Sequence, residues 1–187
     1  MEPARPAAGP DPALGRVMSP DDFDRALLAR AIFEETNRVR EANGSAPLAH
    51  LAALDEAADE QASYLALSLT VGHTNPIPGE KTTGERVARQ GLEAASLGEN
   101  AIMMPALGPA EAPVRDYTYA AYAAYLLQGW MNSPPHRETL LNLKFTHLGC
   151  AARAAHGFGQ GDRRIFAVQV FFRPADKELV SPDPARR

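Results

Sequence analysis

Gly129-Trp130-Met131-Asn132-Ser133-Pro134-Pro135-His136-Arg137 decides how this chain is read. An aromatic, alanine-rich helix runs into Asn-Ser-Pro-Pro, and a histidine then stands at the start of a second short helix. Proline suits the first turn of a helix and not its interior, so the pair marks a junction between two helices. His136 lies near a helix start, where a cation gains nothing from the dipole, and this favours the neutral, metal-binding imidazole. Upstream lie two potential partners, His73 in Gly72-His73-Thr74-Asn75-Pro76 and Glu99 in Gly98-Glu99-Asn100. Two histidines and a carboxylate on turns are the raw material of a metal site or of an acid–base pair.

Each of these residues also has an ordinary reading. His73 follows a helix end, where an imidazole can cap carbonyls. Glu99 follows a glycine and can satisfy backbone N–H groups. Ser133 with His136 suggests a serine nucleophile, but the prolines disrupt helical spacing and no Gly-x-Ser-x-Gly elbow is present. His-Glu-x-x-His and paired Cys-x-x-Cys are absent too, so no motif alone defines a metal centre. His147 and His156 read as a strand-edge residue and a turn residue, outside the site.

Around this junction the periodicity is helical first and strand-like last. Ser19-Pro20-Asp21-Asp22 predicts a helix start, followed by Phe23, Leu27, Ala31, Ile32 and Val39 on one face, with Gly44 as terminator. Leu54, Ala58, Ala62, Leu65 and Leu69 form the stripe of a second helix over about 52–70, which ends before Gly72. Thr83 to Gly91 suits a short helix, and Asn100 to Met104 a short strand. Residues 105–116 read as a loop. Tyr117, Tyr119, Tyr122 and Tyr125 fall on both faces of a helix over about 117–131, so packing and a cleft are both open to them. His147–Ala152 and Ile165–Phe172 read as strands joined by a glycine-rich turn, an antiparallel hairpin. Helices first and strands last indicate an α+β domain.

Composition narrows the function classes. The chain has 187 residues, 45% of them hydrophobic and 22% charged, with a formal net charge of −4. That fits one soluble domain with tails and gives no electrostatic case for nucleic acid. No apolar run reaches the roughly 18 residues of a bilayer span. Residues 1–20 are expected to be disordered or extended, 21–174 to form the domain, and 175–187 to be a tail. A secretory signal is not visible in residues 1–20. Cys150 is the single cysteine, so no intrachain disulfide can form.

In order, the pieces are His73-Thr74-Asn75-Pro76, Glu85-Arg86-Val87, Gly98-Glu99-Asn100-Ala101-Ile102, Trp130 to Arg137, Phe145 to Cys150, and Phe166 to Phe171. They resemble the bacterial branch of the CAP superfamily (cysteine-rich secretory proteins, antigen 5 and pathogenesis-related 1 proteins, or SCP domains). The resemblance runs from about Ile32 to Phe172 and includes Thr36-Asn37-Arg38. It implies a three-layer α-β-α sandwich with a central, largely antiparallel sheet, and an open cleft with two histidines and acidic residues. It puts the histidines at His73 and His136 and one acid at Glu99, with Asn100, Trp130 and Ser133 lining the cleft. Ser133 stands where animal and plant relatives carry a second acid, and the family's disulfides are missing.

The resemblance implies weak binding of zinc or another divalent metal through His73 and His136, with Glu99 as third ligand or partner of a bound water. It implies no established enzymatic activity. The expected function is an extracytoplasmic, secreted or periplasmic binding module for a small molecule, lipid, glycan or peptide. The alternatives are a metal-dependent hydrolase with Glu99 as general base, and a cytoplasmic location.

Overall fold

The computed structural model describes residues 11–19, 22–106, 117–156 and 163–175. Five helices are described: α1 (Arg25–Ala42), α2 (Ala52–Ser68), α3 (Thr83–Arg89), α4 (Tyr119–Asn132) and α5 (Pro134–Leu141). They surround a four-stranded sheet of β1 (Ala49–His50), β2 (Ala94–Pro105), β3 (His147–His156) and β4 (Arg163–Pro174), in the order β1-β3-β4-β2. β4 runs antiparallel to both neighbours, and only the two-residue β1 is parallel to β3. The expected hairpin is β3 with β4; its turn, 157–162, lies outside the described residues.

The alternation along β4 builds the layers. Ile165, Ala167 and Phe171 join one core with α1, α4 and α5, while Phe166, Val168, Val170 and Phe172 join another with α2 and α3. Every residue from Ile165 to Phe172 is buried, as a strand covered on both faces requires. The result is the α-β-α sandwich. α2 crosses the sheet at Gly149, where a Cβ would stand 2.3 Å from the Leu54 carbonyl carbon. Only glycine allows that approach.

Several boundaries differ from expectation: β2 runs from Ala94 to Pro105 rather than from Asn100 to Met104, so Glu99 stands within a strand and not on a turn, and β3 continues to His156. α1 is capped by Asp24, whose Oδ1 accepts the Leu27 N–H at 3.1 Å, so the helix starts after the Ser19–Asp22 region rather than within it. Gly44, at φ 77°, follows its end as expected. Within the stretch 1–20, expected to be disordered or extended, the described residues 11–19 are held on the domain. Pro12–Gly15 form a 3₁₀ turn, Leu14 and Met18 are buried against α1 and α4, and Val17 bridges Thr118. Two apolar anchors without periodicity suffice there, because a backbone bond from Met18 to the Tyr117 carbonyl fixes the path at 2.7 Å. Of the expected 105–116 loop, 107–116 lie outside the described residues, as do residues 1–10 and 176–187.

Candidate functional site

β2 is an edge strand, and Gly98-Glu99-Asn100 lies near its middle. Side chains alternate along a strand, so Glu99 points to the α2/α3 side and Gly98 and Asn100 to the α1/α4/α5 side. The site wraps around this edge.

On the first side, His73 is carried by the loop after α2. Gln61, buried on α2, donates to the Gly72 carbonyl at 2.8 Å and accepts from Asn75 Nδ2 at 3.2 Å. Asn75 Oδ1 in turn receives the Ile77 N–H at 2.9 Å, a local Asx turn. These amides set the His73 backbone. Its ring lies against Glu99, with Nδ1 and Oε1 3.0 Å apart. The His73 side chain is 54% exposed and that of Glu99 only 3%.

The second oxygen of Glu99 belongs to Arg86. The guanidinium reaches Glu99 Oε2 at 2.5 Å and is itself fully buried. Arg86 also donates to the Glu80 carbonyl at 2.8 Å and to Thr83 Oγ1 at 3.3 Å. α3 presents it inward because Arg86 and Val87 are that helix's buried pair. Thr82 starts the helix by accepting the Glu85 N–H at 3.2 Å, while Glu85 takes the Lys81 N–H, close to a capping box. Arg86 is a supporting residue that its motif, Glu85-Arg86-Val87, does not mark as one. The available signal was a lone arginine beside the valine that begins the buried face of a short helix.

On the other side of the edge, Asn100 is fully buried and donates to the His136 carbonyl at 3.1 Å and to Gln169 Oε1 at 3.2 Å. Gln169 then donates to Thr36 Oγ1 at 2.7 Å, tying β2 and β4 to α1. Gly98 permits the approach of α5: a Cβ there would meet Phe145 Cζ at 2.7 Å and Thr139 Cγ2 at 3.0 Å. The far end of α5 is pinned by Arg40, whose NH1 donates to the carbonyls of Leu140 and Asn142 at 2.6 and 3.1 Å. His136 therefore sits on a helix fixed at both ends.

The two histidines are electrostatically opposed. The hydrogen bond to Glu99 raises the His73 pKa above the ordinary value, against partial desolvation and the Arg86 charge. Desolvation lowers that of His136, and charge on His73 lowers it further. Neither ring nitrogen of His136 has a hydrogen-bond partner among the described residues. With Nδ1 of His73 turned to a carboxylate, its Nε2 is the nitrogen left for a ligand.

Ser133 ends α4 and starts α5; its backbone N–H bonds to the Trp130 carbonyl at 3.1 Å, and no hydrogen bond joins its hydroxyl to His136. Trp130 is fully buried in the α1/α4 core, and Asn100 is equally enclosed, so both support the site from behind rather than present a surface. Among the described residues no group of three or more His, Cys, Asp or Glu side chains is arranged to hold a metal ion. The three-ligand set drawn from the sequence is not assembled, because Glu99 is engaged by His73 and Arg86. A metal here would have the two imidazoles as its protein donors, with the carboxylate behind one of them. That is a recognised outer-shell arrangement and a weak donor set.

An α-β-α sandwich with this histidine and carboxylate contact on its edge strand defines a class of protein, and the sequence profile described as the cysteine-rich secretory protein family, CAP, matches residues 33–171. The chain belongs to that family. It is similar in structure to an extracellular protein containing an SCP domain from Bacillus anthracis, with 26% identity and a TM-score of 0.59 over 80% of this chain and 41% of that one. An outer surface protein from Borrelia burgdorferi matches at 17% identity and a TM-score of 0.54, over 86% of this chain and 99% of that one. A cysteine-rich secretory protein from Staphylococcus aureus matches at 20% identity and a TM-score of 0.50, over 80% and 39%. This chain thus spans about two fifths of the length of the Bacillus and Staphylococcus proteins. No protein of curated function matches it. No described helix is long and apolar enough to cross a membrane.

Proposed function

We propose that the chain is an extracytoplasmic binding module whose cleft holds a divalent cation, such as zinc, weakly between His73 and His136. The observation that carries this reading is the His73–Glu99 contact at 3.0 Å, with Glu99 anchored by Arg86 on its other oxygen. A carboxylate behind a histidine fixes the tautomer and turns the free nitrogen outward. His136 complements it, because desolvation lowers its pKa and so favours the neutral imidazole, and neither ring nitrogen has a partner among the described residues. A bound divalent ion would supply a Lewis acid to which an oxygen of a small molecule, lipid, glycan or peptide can attach. Support for a location outside the cytoplasm comes from similar proteins described as extracellular and as an outer surface protein.

Hydrolysis with Glu99 as general base is the second reading. Its weakness is local: a general base needs a free oxygen within reach of the proton it takes, and both oxygens of this buried carboxylate have partners. The test is a crystal soaked in zinc chloride and measured on both sides of the zinc absorption edge. An anomalous peak between His73 and His136 supports the module. A peak only elsewhere, or none, removes the metal from the account. Turnover of an ester or peptide substrate abolished by Glu99→Gln would favour the hydrolase instead.

A further inference from the structure

The opposite edge of the sheet holds a second, independent feature. Between α1 and α2, beside β1 and β3, lies a groove of about 850 Å³, a volume within the range of small-molecule sites. Ala26, Ala29 and Phe33 recur at helical spacing on α1 and give the groove an apolar wall. Ala26 is exposed and the other two are half-buried, so a ligand can reach this wall. The Phe33 ring is steadied from the side. His50 meets it edge to face with centroids 5.3 Å apart, and His50 Nε2 lies 2.6 Å from Asp55 Oδ2. The other Asp55 oxygen takes the Cys150 N–H at 2.8 Å, which ties the carboxylate to β3.

The groove carries charges of both signs, and most of them are spent inside the protein. Arg153 pairs with Asp59, its Nε 2.6 Å from Oδ1. Arg30 is held by Glu34 at 2.9 Å and by Asp11 at 2.7 Å. Asp55 has His50 and the Cys150 amide, and Asp24 caps α1 through the Leu27 N–H at 3.1 Å. Arg25 on α1 and Glu56 on α2 are left. Both are exposed, and neither has a hydrogen bond or ion pair among the described residues.

These two share a neighbour. Burial raises the Asp59 pKa, while the Arg25 charge lowers it and the Glu56 charge raises it. A free cation and a free anion therefore flank one carboxylate at the rim of the apolar wall. A ligand of a single sign gains from one of them and is repelled by the other, whereas a compact zwitterion gains from both.

We propose that this groove binds a free α-amino acid with a large apolar side chain. Its carboxylate lies on Arg25, its ammonium on Glu56, and its side chain along Ala26, Ala29 and Phe33. The planar guanidinium matches a carboxylate, and burial of the apolar side chain supplies the remaining affinity. The site is independent of the His73–His136 cleft, which lies on the other edge of the sheet.

An NMR titration of the isotope-labelled full chain with L-phenylalanine tests this. Three analogues run beside it: phenylpropionate lacks the ammonium, phenethylamine the carboxylate, and glycine the side chain. Saturable shifts at the Ala26, Ala29 and Phe33 amides are expected with phenylalanine. Affinity should fall about fivefold for each singly charged analogue, as for partly exposed ion pairs, and glycine should not saturate. Glu56→Gln should weaken phenylalanine by the same factor and leave phenylpropionate no weaker. Arg25→Gln should likewise weaken phenylalanine and leave phenethylamine no weaker. A general loss of structure would not sort the ligands in this way. Equal affinity for phenylalanine and both singly charged analogues overturns the proposal, as does the absence of saturable shifts or their confinement to the His73–His136 cleft.

Discussion

Arg86 and Glu99 meet at 2.5 Å with both side chains shielded from solvent, and this pair is the foundation on which His73 stands. Breaking a buried pair on one side leaves an uncompensated charge, which costs about 3–5 kcal/mol. Arg86→Met should therefore destabilise the protein by that order in urea denaturation. Replacing both partners, as Arg86→Met with Glu99→Leu, should recover most of the loss. A single variant within about 0.5 kcal/mol of the parent, the usual range for surface changes, would show that the pair is not closed in solution.

Gly98 is where α5 and Phe145 come closest to β2. A methyl group there overlaps Phe145 Cζ at 2.7 Å, so Gly98→Ala should cost about 1–3 kcal/mol, the range for overpacking. Because α5 carries His136, the same variant should shift the His136 ring resonances in an NMR spectrum, while those of His147 stay in place.

The histidines should titrate apart in NMR, His73 above the ordinary value of 6.5 and His136 below it. The stability effects then have opposite signs. The raised His73 favours the folded protein below the unfolded value, and that contribution is lost as pH rises through its folded pKa. For His136 the folded protein resists protonation, so stability is lost as pH falls from 6.5 through its lowered value. Glu99→Gln should return His73 toward the ordinary value, since the Glu99 hydrogen bond is the main cause of its shift.

Much of this was legible in the chain because it is locally encoded. The α1 and α2 stripes, the Ser133-Pro134-Pro135 junction and the pairing of β3 with β4 follow from period, prolines and glycines within one segment. β1 was not legible, since two residues become a strand only by meeting His147 and Leu148 in space. The seating of Leu14 and Met18 has the same cause: nothing periodic announces them, and their partners lie on α1 and α4. In the site, His73 and Glu99 do meet as their types suggested. Arg86 was hidden because a buried arginine cannot be told from a surface one until its carboxylate is located. That omission is why Glu99 looked freer in the sequence than it is.

The central claim is that His73 and His136 together bind a divalent cation while Glu99 stands behind His73. Isothermal titration of Zn²⁺ into the full chain tests it most directly, at a pH above the raised His73 pKa. One weak site per chain is expected, lost when His73→Ala and His136→Ala are combined and weakened about 10–100-fold by Glu99→Gln, as for other outer-shell carboxylates. Binding that survives the double histidine substitution unchanged would contradict the account.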